Sequence, residues 1–194
     1  MKVLTQALTL ILILALALIA GCGSDTENAA EAETYGQATA TAAAPVGSTP
    51  GAMAPDFTLK NLAGGNLTLS DLRGKAVIVD FWDTWCPPCR KALPHLEELS
   101  QTYGDDLVVV GVAFGREGEA KVNAYIQEHN LTFEMVLFAE TSTILTDFGG
   151  IQSIPTTFLI DANGVIVEKW VGGLDKATYE KAVVATIGDK TKTS

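Results

Sequence analysis

The segment Ala76-Val77-Ile78-Val79-Asp80-Phe81-Trp82-Asp83-Thr84-Trp85-Cys86-Pro87-Pro88-Cys89 constrains this chain more than any other. An apolar run of strand character leads into two cysteines separated by two residues, and a helical pattern follows to about Tyr103. Both sulfurs therefore fall in the first turn of one helix, on the same side and close enough to form a disulfide. A pair so placed holds two electrons and can hand them on. The helix start carries unpaired N–H groups and about half a positive charge. That field favours the thiolate, which is the attacking species in disulfide exchange. Cys86, at the very start, is the expected nucleophile. Cys89 lies one turn inside, aligned with Leu93, Leu96, Ser100 and Tyr103, and is expected to be the more buried, resolving thiol. Pro87 and Pro88 lack N–H groups that a first turn leaves unpaired anyway, and should stiffen the loop.

Around this pair the chain resembles the thioredoxin-fold thiol-disulfide oxidoreductases of the TlpA/ResA type. The resemblance rests on Ala54-Pro55-Asp56-Phe57-Thr58-Leu59 and Gly74-Lys75 ahead of the strand, and on Pro94 five residues after Cys89. It rests also on Ile151-Gln152-Ser153-Ile154-Pro155-Thr156-Thr157-Phe158-Leu159-Ile160-Asp161, which looks like the family's cis-proline segment. The match covers roughly residues 52 to 188. It implies that Pro155 is cis and packs against the active disulfide, keeping a backbone N–H or a metal from that spot. It implies too that Ile154 offers its main chain to an extended substrate segment as a short β-pairing. With Trp85 and Pro87, these residues form the expected substrate-binding surface. The implied activity is exchange through the Cys86–Cys89 dithiol/disulfide couple, with no other cofactor.

Asp80 interrupts the apolar run, where a carboxylate is costly. Two readings are open. Alternation turns it toward solvent or a strand end, or it is a buried carboxyl of raised pKa that takes the proton of Cys89 through water. Thioredoxin carries Asp at the matching place, whereas many TlpA-like sequences carry Asn. ResA-like members also have a Glu three residues after the second cysteine, and here that position is Ala92. The Glu role therefore cannot be carried over, and Asp80 is the nearer candidate for catalysis. Trp82 reads as core and Trp85 as an exposed apolar rim, while Arg90 and Lys91 read as solvated helix charges.

The two ends of the chain read differently from its middle. Lys2 precedes an unbroken apolar stretch, Leu10 to Ala20, and Ile19-Ala20-Gly21-Cys22 follows. This resembles a bacterial lipoprotein signal over residues 1–21, with lipid attached to Cys22 after cleavage. The rival reading is an uncleaved anchor helix from Val3 to Gly21, and either holds the domain at the outer side of a cell membrane. Residues 22–51 are rich in Ala, Thr, Gly and Ser, with four acidic residues and no Lys or Arg. Such a segment is expected to be a flexible acidic tether, since it buries too little to offset its chain entropy. A thioredoxin-like domain is expected over 52–188, and a frayed tail over 189–194.

The formal charge of −10 becomes −11 when Lys2 leaves with the leader, and it argues against nucleic acid as a partner. With Cys22 assigned to lipid, no further cysteine is left for a structural disulfide, so a hydrophobic core must hold the domain. His95 and His129 with two sulfurs make too few ligands for a closed zinc site, and no metal is expected.

The hydrophobic pattern gives an N-terminal hairpin over Phe57 to Leu69, then the order β-α-β-α-β-α-β-β-α. That order predicts an α/β fold: a thioredoxin-like central mixed sheet flanked by helices, parallel strands first and an antiparallel hairpin last. Helices are expected over Glu117–Glu128, Thr143–Phe148 and Asp175–Ile187. The resemblance implies, as partners, disulfide-bearing extracytoplasmic proteins such as apocytochrome c in periplasmic or extracellular space, and a membrane-embedded thiol reductase as electron donor. Two other readings stay open. A thiol peroxidase would share the Ala54-Pro55-Asp56-Phe57 opening, but Thr84 lies two residues before Cys86, not three, and the required proline is missing. A copper-delivery module would use a CxxxC and a distant histidine, and neither is evident.

Overall fold

A computed structural model describes residues 44–188. The leader, Cys22, most of the tether and the tail lie outside those residues. Among the described residues the chain runs β1 (Thr58–Asn61), β2 (Asn66–Thr68), a short 3-10 turn (Leu69–Leu72), β3 (Ala76–Trp82), α1 (Pro87–Tyr103) and β4 (Leu107–Ala113). It continues through α2 (Glu119–Glu128), β5 (Glu134–Leu137), α3 (Ile144–Asp147), β6 (Thr156–Ile160), β7 (Ile166–Val171) and α4 (Lys176–Ile187). One seven-stranded sheet results, in the order β2-β1-β5-β4-β3-β6-β7. β3 pairs in parallel with β4, and β4 with β5, while β6 runs antiparallel to β3 and to β7. The mixed sheet, the hairpin extension and the element order follow the pattern read from sequence.

Two of the expected boundaries shift. Residues 45–53 are tied to the domain: Gly47 N–H donates to the Met53 carbonyl at 2.9 Å, and Gly51 N–H to Ile166 at 2.8 Å. Their composition signals a free leash, but paired backbone groups hold them, so the ordered domain begins several residues before 52. Helix α2 starts at Glu119 rather than Glu117, because Gly118 at φ 92° is its N-cap residue and 115–118 form a turn.

β3 lies at the centre and is buried along its whole length. Successive side chains of a strand face opposite ways. Val77, Val79 and Phe81 join one core cluster with Phe57, Ile144, Phe148 and Phe158. Ile78 and Trp82 join the other, with Cys89, Leu93, Leu96, Leu99, Tyr179 and Val183 of α1 and α4. Asp80 shares the parity of Ile78 and Trp82 and so faces the helix that carries the cysteines. α1 spans Pro94 without ending, and its apolar face of Cys89, Ala92, Leu93, Leu96 and Leu99 is buried. A second buried carboxylate fixes this helix from the side. Glu97 accepts from the Thr132 N–H at 2.7 Å and from the Thr132 hydroxyl at 2.6 Å.

Directly opposite Asp80 on β4 stands Gly111. A Cβ there would lie 2.6 Å from Met135 Sδ, 3.0 Å from Trp82 Nε1 and 3.2 Å from Phe133 Cε2. The space beneath the active strand is therefore filled by its neighbours. Gly111→Ala is expected to cost about 2 kcal/mol through overpacking and to lower Tm by about 5 °C in a thermal melt. An unchanged Tm would show that the site has slack.

Candidate active site

Cys86 ends the loop after β3 and caps α1 in an extended conformation, with Pro87 and Pro88 opening the helix. Its sulfur accepts the Cys89 N–H at 3.2 Å. The N-terminal field therefore acts on the sulfur through a direct hydrogen bond as well as through the helix dipole. The two cysteines are joined as a disulfide, with their Cα atoms 5.3 Å apart. Cys86 is 2% exposed and Cys89 wholly buried, so the outer sulfur alone has a path to a partner.

That path is a groove of about 360 Å³ lined by Trp85, Cys86, Pro87, Pro88, Phe114, Arg116 and the segment 151–154. Trp85 is 45% exposed at its lip, while Trp82 is fully buried, as the sequence indicates. The Ile154–Pro155 peptide is cis. It brings the Ile154 carbonyl oxygen to 3.6 Å from Cys86 Sγ. Ile154 forms part of the groove wall, whereas Pro155 is buried behind it and does not itself line the groove. Its contribution to a binding surface is thus to place Ile154, a narrower part than the resemblance implies. Behind α1, Gly173 approaches so closely that a Cβ would stand 2.9 Å from the Pro88 carbonyl oxygen.

Asp80 is completely buried, which removes the solvent-facing reading. Its Oδ1 accepts the Thr157 hydroxyl at 2.7 Å, and Oδ2 has no hydrogen-bond partner among the described residues. Thr157 is the directly opposed residue on antiparallel β6, close enough for its hydroxyl to reach across. Burial pushes the Asp80 carboxyl up to about 7, against the smaller opposing pull of the Thr157 hydrogen bond. Thr157 Oγ1 also lies 3.4 Å from the Tyr179 hydroxyl, whose pKa burial raises as well.

Several participants carried no signal of their own in the sequence. Asp83 is buried after β3; its Oδ1 accepts the Thr84 N–H at 2.7 Å and its Oδ2 the Arg116 N–H at 3.1 Å. Thr84 donates its hydroxyl to Glu117 at 2.8 Å. These bonds clamp the loop before Cys86 to the turn after β4, and set the Arg116 guanidinium 5.2 Å from the centroid of the Trp85 ring. Arg116, Thr157 and Asp83 all come from segments brought together only by strand pairing.

A cysteine pair capping a helix beneath a cis-proline loop, on this strand order, defines a thioredoxin-fold dithiol–disulfide protein. Comparison with known proteins narrows the class. The sequence matches the AhpC/TSA family over residues 50–169. The thioredoxin-like protein YneN of Bacillus subtilis (strain 168) is 39% identical over 138 residues, covering 70% of this chain and 79% of its own. The thiol-disulfide oxidoreductase ResA of Bacillus cereus (strain ZK / E33L) is 36% identical over 130 residues, covering 67% and 74%. Among solved structures, a thiol:disulfide interchange protein of the thioredoxin family from Chlorobium tepidum TLS superposes with a TM-score of 0.64 at 31% identity. That superposition covers 75% of this chain and all of the other. The chain belongs to the AhpC/TSA family, among its TlpA/ResA-like thioredoxin-fold members. Its activity is thiol–disulfide oxidoreduction, and the cysteine pair is itself the redox group.

Proposed function

We propose that this oxidoreductase is lipid-anchored through Cys22 and reduces disulfides in extracytoplasmic proteins, such as the cysteine pair of apocytochrome c. The observation that supports the exchange chemistry is the Cys86–Cys89 disulfide at the foot of an open groove, with the inner sulfur shielded. In the reduced protein the Cys86 thiolate attacks a partner disulfide; one partner thiolate leaves and a mixed disulfide forms. Asp80, facing α1 from β3, accepts the Cys89 proton through water. The Cys89 thiolate then displaces the second partner thiolate from Cys86 and closes the intramolecular disulfide. Two electrons have passed to the partner, and a membrane-embedded thiol reductase restores the dithiol. The anchor rests on the apolar leader and the small residues ahead of Cys22; the thiol–disulfide chemistry is supported by relatives named thiol-disulfide oxidoreductase ResA.

Mass spectrometry of the wild-type protein is expected to find the leader removed and acylated Cys22 as the first residue, and Cys22→Ser is expected to abolish incorporation of labelled fatty acid. An intact leader on unacylated wild-type protein would establish the uncleaved anchor instead. The Thr84 hydroxyl is bound to Glu117, which lends the peroxidase reading no support. A peroxide-consumption assay is expected to show negligible turnover.

A further inference from the structure

The groove beside Cys86 has one charged residue in its lining, Arg116, in a chain with 23 acidic and 13 basic residues. In an acidic protein, the one charged side chain that lines the groove is thus a cation. The position of that cation is built. Asp83, fully buried, accepts the Arg116 backbone N–H at 3.1 Å, and Gly118 N–H closes the turn onto Gly115 at 2.8 Å. The guanidinium then lies over Trp85, the residue before the nucleophile, and no ion pair with a carboxylate engages it among the described residues. Its five N–H donors are thus available to a ligand at the groove lip.

We propose that Arg116 is a specificity-determining residue: the groove takes an extended polypeptide segment carrying Asp or Glu beside the disulfide cysteine that Cys86 attacks. The occupant is argued from charge complementarity and size. A compact space of 360 Å³ is roughly 9 Å across, or two to three extended residues at about 3.3 Å each. A segment of that length, with its sulfur at Cys86, reaches the lip within one or two residues. Apolar side chains flanking its cysteine meet Trp85, Phe114 and Ile154, and the carboxylate meets the guanidinium. The inference rests on the oxidoreductase activity and adds which partner sequences it favours.

The test uses three synthetic disulfide peptides, identical except for Glu, Gln or Lys two residues from the attacked cysteine, with dithiothreitol supplying the two electrons of each turnover. Wild-type protein at low ionic strength is expected to show kcat/KM about five- to tenfold higher for the Glu than for the Lys peptide, the size of partly exposed charge contacts. The preference should shrink in 0.5 M salt, vanish in Arg116→Gln and invert in Arg116→Glu. A guanidinium that merely favoured the Cys86 thiolate would scale all three peptides together and leave their ratio unchanged, so the ratio isolates recognition. Arg116 is exposed and its fixed contact is through the backbone, so both variants should fold, checked by circular dichroism. Equal rates for the three peptides in wild type, or a preference that survives in Arg116→Gln, overturns the proposal. No reduction of the Gln peptide at all would overturn the reductase reading beneath it as well.

Discussion

Asp80→Asn is expected to stabilise the oxidised protein by on the order of 4 kcal/mol above pH 7, while slowing release of mixed disulfides about a hundredfold. The stability effect follows from the raised carboxyl pKa, about 7 in the fold against an ordinary 3.8. Between those values the unfolded chain releases the proton that the folded chain keeps. Stability is therefore fully present below about pH 3.8 and is lost as pH rises through 7. Asn has the same shape, can keep the acceptor for Thr157, and carries no charge to desolvate. Urea unfolding of wild type and variant at pH 4 and pH 8 measures this directly. The variant should be nearly matched to wild type at the lower pH and clearly more stable at the higher. A pH-independent difference would remove burial of the charge as the cause.

The same substitution separates stability from function. Asp80 is kept in the core at such a cost, on the side of β3 that packs against α1, and the proposed proton transfer from Cys89 would give that cost a use. In Asp80→Asn the attack by Cys86 should proceed, and the resolving step should slow. Stopped-flow exchange with a peptide disulfide should show the mixed disulfide accumulating. Kinetics unchanged from pH 6 to 9 would count against the proton role and leave the stability argument standing.

Cys89→Ser should have the larger kinetic effect, a loss of about a thousandfold or more in multiple turnover. The reason is positional. Cys89 is wholly buried, its N–H is bonded to the Cys86 sulfur, and no other cysteine among the described residues can replace it. The variant should attack once and stop, leaving the partner bound to Cys86. Non-reducing electrophoresis and mass spectrometry of the trapped species then identify which proteins it holds. Cys86→Ser should trap nothing. Trapping by Cys86→Ser and not by Cys89→Ser would reverse the assigned order of attack.

The strand before the cysteines, the helix they open and the terminal hairpin were legible because each has a local cause. β3 is an unbroken apolar run, Pro87 and Pro88 pre-set a helix start, and Asp161-Ala162-Asn163-Gly164 turns the chain between β6 and β7. Asp80 stood out for being polar where its neighbours were not. The start of the domain was misplaced because residues 45–51 have loop composition, yet their backbone groups bond to Met53 and Ile166. The residues that surround Asp80 and Cys86 had no such local mark. Thr157 and Gly111 meet Asp80 only through strand register, and Arg116 meets Trp85 only because Asp83 ties one loop to another.

The sequence alone determined the redox pair and its chemistry, because a cysteine's reactivity is governed by the few backbone N–H groups next to it in the chain. It also determined the order of strands and helices, through hydrophobic period and turn residues. Only the tertiary structure decided that Asp80 is wholly buried, how far that burial strengthens its hold on a proton, and that Arg116 lines the groove beside Cys86. Those depend on dielectric and on distance between segments far apart in sequence, and neither is written in any local run of residues.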